Sequence, residues 1–372
     1  MDLGFGKDQV LLRQSVAEFL SKECPYDRVK EIEEKEVGYS PELWEKIAAL
    51  GWLGVPFPES YGGYEDPFLN LIIIMEEIGK AAFPSPFLST IIQCGMTILE
   101  GGSAQQKNDL LRQMIEGRLI MAMAQYEEEG SYLASGIKMV AAFQGDHYLL
   151  NGTKMFVNDA NIADKLIVAA QAGDAGITLF LVDGKDSGIT CEKMYAIAMD
   201  NTCHVVFQDV KVPPSNIIGK PGNGWQILEK VNEKATVAKC AEMLGGCKAC
   251  IDLTTAYAKK RVAYGKPIGS YQVIQHYLAN MLISYDPTVN FLYKVAWMID
   301  EGLDATKEVS ALKAWVNDQY KFISERAVQI HGAIGTTREL DVGLFFRRAK
   351  SFEYMLGDID YHYERVSQAL GL

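Results

Sequence analysis

Through the first third of the chain, apolar residues recur at helical spacing. Leu12, Val16, Phe19 and Leu20 share one face, and Pro25 stops that run. Ser40-Pro41 reads as an N-cap followed by proline at the first helical position, with Leu43, Ile47 and Leu50 as the buried stripe and Gly51 as its close. A turn-rich passage at 56–63 precedes a helix through Leu71, Met75 and Ile78. A further helix is expected over about 103–116, closed by Gly117.

The period then changes. Leu149-Leu150, Phe156-Val157, 165–169, 177–182 and 204–207 are short and rich in β-formers. Gly145-Asp146, Asn151-Gly152, Gly173-Asp174 and Asp183-Gly184 separate them as turns. Past Pro213-Pro214 and the glycines of 219–224 the helical period returns, predicting long helices over about 225–262, 270–302, 305–332 and 338–369. Long helices with short connections make an antiparallel bundle. The fold class expected is therefore α+β and multidomain. A helical domain at 1–118 comes first, then a β-barrel or sandwich at 119–218, then a four-helix bundle at 219–372.

Composition narrows the function. A length of 372 residues suggests two or three structural units. A net charge of −12 disfavours a nucleic-acid partner. The longest apolar stretch, at 69–75, is broken by Asn70 and then by Glu76 and Glu77, too soon to span a bilayer. The start of the chain has no signal-peptide pattern, and a cytoplasmic location follows by default. The seven cysteines show no metal-ligand spacing, Cys247 and Cys250 included, and are expected to be reduced thiols, mostly buried. No metal is expected.

Several stretches carry a family resemblance. They are 52–63 (WLGVPFPESYGG), 145–156 (GDHYLLNGTKMF), 205–213 (VVFQDVKVP), 261–275 (RVAYGKPIGSYQVIQ) and 329–335 (QIHGAIG). Together, and in this order, they resemble the acyl-CoA dehydrogenase family from end to end. On its own, Arg261 is either a fork of donors for a pyrophosphate or an ordinary helix-end arginine. Gly332 and Gly335 either admit a ligand to the backbone or simply turn the chain.

The resemblance implies FAD as cofactor, an acyl-CoA substrate, an electron-transfer flavoprotein as electron acceptor, and a homo- or heterotetramer built as a dimer of dimers. It places Arg261, Gln272, Gln329, Gly332 and Gly335 against the flavin of a neighbouring subunit. It places Gln125, Tyr126 and Ser131 in the loop that holds the flavin ring and thioester, and Phe156 against the isoalloxazine. That loop departs from type: T-E-x-x-x-G-S-D is usual, and 125–132 here reads QYEEEGSY. This variant, with Cys240-Ala241-Glu242-Met243 and Leu356-Gly357-Asp358, resembles the branch of pimeloyl-CoA dehydrogenase small subunits and steroid side-chain acyl-CoA dehydrogenases.

The chemistry implied is removal of an α-proton and transfer of a β-hydride to flavin. It needs donors for the enolate oxygen and a carboxylate base in contact. The family's two base positions fall on Leu356 and Ala235, neither of which can take a proton. Glu242, two turns beyond Ala235, Asp358, two residues from Leu356, and Glu233 are the substitutes to weigh; Glu242 is preferred, and Glu242 and Asp358 are the candidate catalytic residues. Three functions stay open: a dehydrogenase with an atypical base, a non-catalytic partner subunit, or an enoyl-CoA reductase or β-elimination enzyme on the same fold.

Overall fold

The computed structural model describes residues 5–372. The helices are α1 (Lys7–Glu23), α2 (Tyr26–Glu33), α3 (Pro41–Ala49), α4 (Phe68–Lys80), α5 (Met96–Gly101), α6 (Ala104–Ile115), α7 (Gly224–Lys260), α8 (Gln272–Asp300), α9 (Thr306–His331), α10 (Val342–Phe352) and α11 (Ile359–Ala369). A π-helix, Phe87–Gly95, precedes α5. The strands are β1 (Met121–Ala124), β2 (Val140–Phe143), β3 (Tyr148–Asn158), β4 (Lys165–Gln171), β5 (Ile177–Asp183), β6 (Ile189–Met194), β7 (Thr202–Val212) and β8 (Ile217–Ile218), with a small hairpin of β9 (Val262–Ala263) and β10 (Lys266–Pro267). No described helix is long and apolar enough to cross a membrane.

Two compact units result. One comprises 5–31, 67–83 and 236–372, and the other 32–66 and 84–235, so that α7 passes from the second into the first. The helical unit packs around α4, which is buried from Leu71 to Gly79 although Glu76 and Glu77 lie within that run. Such burial requires partners for the carboxylates. Glu76 accepts hydrogen bonds from Arg13 of α1 (2.6 Å) and from Tyr285 (3.1 Å) and Tyr293 of α8. Helices α4 and α7 also meet backbone to backbone. A Cβ on Gly79 would stand 1.9 Å from the Glu242 carbonyl oxygen, and one on Gly245 would stand 1.9 Å from that of Glu76.

The expected single helix over 338–369 is two. After α10, Leu356 (φ 62°) and Gly357 (φ 115°) turn the chain through left-handed conformations. The end of α10 is held by a fully buried lysine: Lys313 Nζ donates to the carbonyls of Phe352 (3.1 Å) and Glu353 (3.3 Å) and to Asn317 Oδ1 (2.6 Å). Burial pushes the Lys313 ammonium down to about 8.

In the other unit the strands run in the order β6-β7-β3-β2-β4-β5-β8, with β1 parallel to β4. Leu150, Val157, Val168, Phe180, Val205 and Phe207 fill the core. The segments expected as strands are present, and β1, β2, β6 and β8 are additional. Leu149-Leu150 and Phe156-Val157, however, belong to one strand, β3. It runs through Asn151-Gly152, expected as a turn and found instead at a slip in the pairing with β7. The MAMA of β1 has no β-branched residue to signal a strand, yet all four of its residues are buried beside β4. The seven cysteines are free thiols, and only Cys191 is not buried.

Gly245→Ala places a methyl group on a backbone carbonyl that cannot yield, so it is expected to cost at least the roughly 1–3 kcal/mol typical of overpacking. A urea midpoint indistinguishable from that of the parent chain would show that the two helices do not touch in this way.

Candidate functional site

The β-bearing unit builds one group of the expected site residues. Gln125 follows β1 and is 4% exposed. Its Oε1 accepts from Asn232 Nδ2 (3.3 Å), while its enclosed Nε2 has no hydrogen-bond acceptor. Native proteins seldom leave a buried amide donor unmatched, so this position calls for an acceptor from water or a ligand.

The loop after Gln125 is tied down from inside the sheet. Lys154 of β3 continues the inward phase set by Leu150 and has no exposed surface. It donates to Glu127 Oε1 (2.7 Å) and to the Gln125 carbonyl (3.3 Å). Burial lowers the Lys154 pKa and the Glu127 carboxylate works against that shift. Glu127 also accepts the backbone N–H groups of Lys138 and Met139 at 3.0 Å. Tyr126 receives the Met155 N–H on its carbonyl (3.0 Å), and its ring meets Tyr132 edge-on. Ser131 Oγ accepts the Leu133 N–H (3.3 Å), and a Cβ on Gly136 would lie 2.5 Å from the Ser131 Cβ, so the loop folds tightly on itself.

Phe156 stands on the same frame. The pairing of β3 with β7 slips between Lys154 and Val157, and Phe156 occupies that bulge at φ 55°. The residue is 48% exposed, whereas Val157 next to it is fully buried. A non-glycine residue in the left-handed region and an aromatic ring presented to solvent are both uncommon, and bulges re-aim side chains near functional sites. Two flanking strands thus present a flat ring and an unmatched amide donor.

A second group lies at one end of the helical bundle. Arg261 follows the last turn of α7, its N–H donating to Tyr257 O (2.8 Å), and opens the β9–β10 hairpin. Tyr264 and Gly265, both at positive φ, make the two-residue turn. Gln272 begins α8 and is exposed. Gln329 lies exposed in the last turn of α9, and Gly332 (φ 71°) ends that helix in a conformation suited to glycine. Gly335 is buried, where a Cβ would crowd the His331 side chain at 2.9 Å. The His331 ring stacks on Tyr257 (4.2 Å between centroids), which brings the α9 end carrying Gln329 and Gly332 against the α7 end carrying Arg261.

The two candidate bases have other partners. Glu242 is bonded to the buried Lys239 (2.5 Å), whose ammonium also lies 3.8 Å from the centre of the Phe352 ring. Asp358 is the N-cap of α11, accepting the Tyr361 N–H at 2.9 Å. Leu356 is buried, and its carbonyl lies 3.1 Å from His362 Nε2. Ala235 is fully buried. Among the described residues no cluster of His, Cys, Asp or Glu could hold a metal ion.

Sequence reasoning passed over Lys154, Glu127 and Asn232. Lys154 did leave a signal, being a charged residue at a core-facing position of a strand. Glu127 left none, as one of three successive glutamates.

Comparison with known proteins fixes the class. Models of the acyl-CoA dehydrogenase N-terminal, middle and C-terminal domains match residues 6–118, 121–210 and 222–371. The chain belongs to the acyl-CoA dehydrogenase family. It is 30% identical over 366 residues to mitochondrial isovaleryl-CoA dehydrogenase of Pongo abelii, covering 95% of this chain and 86% of that one. It is 29% identical to the caffeyl-CoA reductase–Etf complex subunit CarC of Acetobacterium woodii, covering 94% of each. The structure of butyryl-CoA dehydrogenase from Megasphaera elsdenii is similar over 100% of both chains, with a TM-score of 0.92 and 28% identity.

Two substitutions separate scaffold from site. Lys154→Met strands Glu127 and frees the loop, and is expected to cost roughly 3 kcal/mol. Phe156→Gly relieves a left-handed residue and removes an exposed ring, so stability should stay within about 0.5 kcal/mol. Chemical denaturation of both variants checks the pair, and a large loss at Phe156 would mean that its ring is core.

Proposed function

We propose that this chain is an FAD-dependent oxidoreductase acting on the Cα–Cβ bond of an acyl-CoA thioester and exchanging electrons with an electron-transfer flavoprotein. The observation that carries the reading is the pairing, on one rigid frame, of the unmatched Gln125 Nε2 with the outward-facing Phe156. A flavin fits that frame: its flat ring needs an aromatic wall, and its ring nitrogens and oxygens are acceptors for an amide donor. When bound, the flavin supplies the hydride chemistry. The residues around it hold, orient and exclude water.

The second group supports a shared cofactor. Arg261, Gln272, Gln329 and Gly332 are open at the bundle end, and Val262, Tyr264, Val273, Ile283 and Ile334 expose apolar surface on the same hairpin, helix and turn. A second copy of this chain, or a homologous subunit, covers that surface in our reading, and Arg261 then meets the pyrophosphate of the partner's FAD. Arginine's planar fork suits that task.

Glu242 and Asp358 are assigned to structure. Both carboxylates already serve a structural partner, Glu242 the buried Lys239 and Asp358 the α11 N-terminus, and that is the role we give them. The reductive direction is the second reading, favoured by the similarity to a subunit of a caffeyl-CoA reductase complex; Leu356 and Ala235, being apolar, can neither take nor give the α-proton in either direction.

The purified chain, supplied with FAD, is expected to take up the cofactor and to lose it on Arg261→Ala, with affinity falling at least about tenfold for a lost charged hydrogen bond. Anaerobic mixing with saturated thioesters, and of the reduced protein with enoyl thioesters, then gives the direction from the loss or return of yellow absorbance. Colour change only after a related chain is added would reassign this protein as a partner subunit. No flavin uptake under any pairing would end the proposal.

A further inference from the structure

The π-helix Phe87–Gly95 is buried at all nine of its positions. Wide helical turns of this kind are rare and gather at functional sites. Two of its polar side chains are fastened to the site's frame. Ser89 Oγ donates to Asp159 Oδ2 (2.5 Å), three residues beyond Phe156. Thr90 Oγ1 donates to the Met121 carbonyl (3.0 Å) and accepts the Met121 N–H (3.1 Å), on the strand that leads into Gln125.

Gln93 is different. Its backbone carbonyl accepts from Thr97 Oγ1 (2.6 Å), but its side-chain amide has no donor or acceptor among the described residues. The residue is only 7% exposed. Leaving an amide buried and unmatched is costly, and a leucine or methionine would fill the position without that penalty. Unlike Gln125 Nε2, the amide is not completely enclosed, so a group the size of a water can reach it. The helix that carries it has no basic residue: FLSTIIQCG offers hydrogen bonds and no positive charge.

We infer that Gln93 determines specificity by hydrogen-bonding a neutral oxygen substituent on the acyl chain. The substrate is then a CoA thioester bearing a hydroxyl or carbonyl group beyond the reacting bond, not a plain alkyl or a carboxylated chain. An amide both donates and accepts, which matches a hydroxyl fully and a carbonyl through its N–H. An unpaired carboxylate would have no counter-charge on this helix. The inference rests on the acyl-CoA reading above.

The test uses the FAD-loaded protein and reads dissociation constants from the shift of the flavin spectrum, so it needs no turnover. Hydroxyacyl- and oxoacyl-CoA thioesters with the substituent at successive carbons are titrated beside alkyl and carboxylated thioesters of the same length. At least one oxygenated chain is expected to bind about tenfold more tightly than its alkyl counterpart, the value of one net hydrogen bond. Gln93→Leu should bring that ratio close to one, weakening the oxygenated ligand and tightening the alkyl one. If Gln93→Leu fails to load flavin, Gln93→Asn, which withdraws the amide by one methylene, should weaken the oxygenated ligand alone. Equal binding of alkyl and oxygenated chains by the parent protein, tightest binding of a carboxylated chain, or equal loss for both ligands in the variant would overturn the assignment. A flavin spectrum that no thioester perturbs, in parent or variant, would instead defeat the acyl-CoA reading on which it rests.

Discussion

A single buried ammonium group organises the β-bearing unit. Lys154 lies inside the sheet with no exposed surface, and its partners among the described residues are the Glu127 carboxylate and the Gln125 carbonyl. A charge placed there must be matched. Matching it draws the loop after β1 onto β3 and fixes Gln125 at the point where β3 bulges to expose Phe156. Glu127 in turn collects the Lys138 and Met139 N–H groups, which sets where the chain re-enters the sheet as β2. The exposed ring and the unmatched amide are consequences of one buried pair.

The helical unit solves a similar problem with different chemistry. Its central helix α4 carries Glu76 into the core, where an arginine and two tyrosines satisfy it. Glycines at 79 and 245 let α4 and α7 approach to backbone contact. Lys313 and His362 then fix the chain around Leu356, a leucine held at φ 62°. A left-handed leucine persists only where the surroundings over-determine it, and such strain gathers at functional sites. Here the side chain at the strained position is apolar, so it can neither take nor give a proton in either direction of a reaction.

Much of this was legible from residue order. The periodicity change near 119 and its reversal near 219 gave helices, strands and helices in the right places, because apolar spacing is read directly by burial. The long helices α7, α8 and α9 end within a few residues of where the glycine breaks put them. What escaped was set by contacts between distant residues. The break after α10 depends on Lys313 reaching Phe352, and the strand character of MAMA depends on β4. The bases placed by the family resemblance and helical spacing, Glu242 and Asp358, have local partners in Lys239 and the Tyr361 N–H. Helical spacing says which face a carboxylate occupies and nothing of what it meets there.

The frame of Lys154, Gln125 and Phe156 is most directly tested by an experimental structure of the flavin-loaded protein. Our account predicts the tricyclic ring in face or edge contact with Phe156, with a ring acceptor about 3 Å from Gln125 Nε2. A flavin bound with its ring elsewhere, leaving that amide unmatched and Phe156 in solvent, would contradict it.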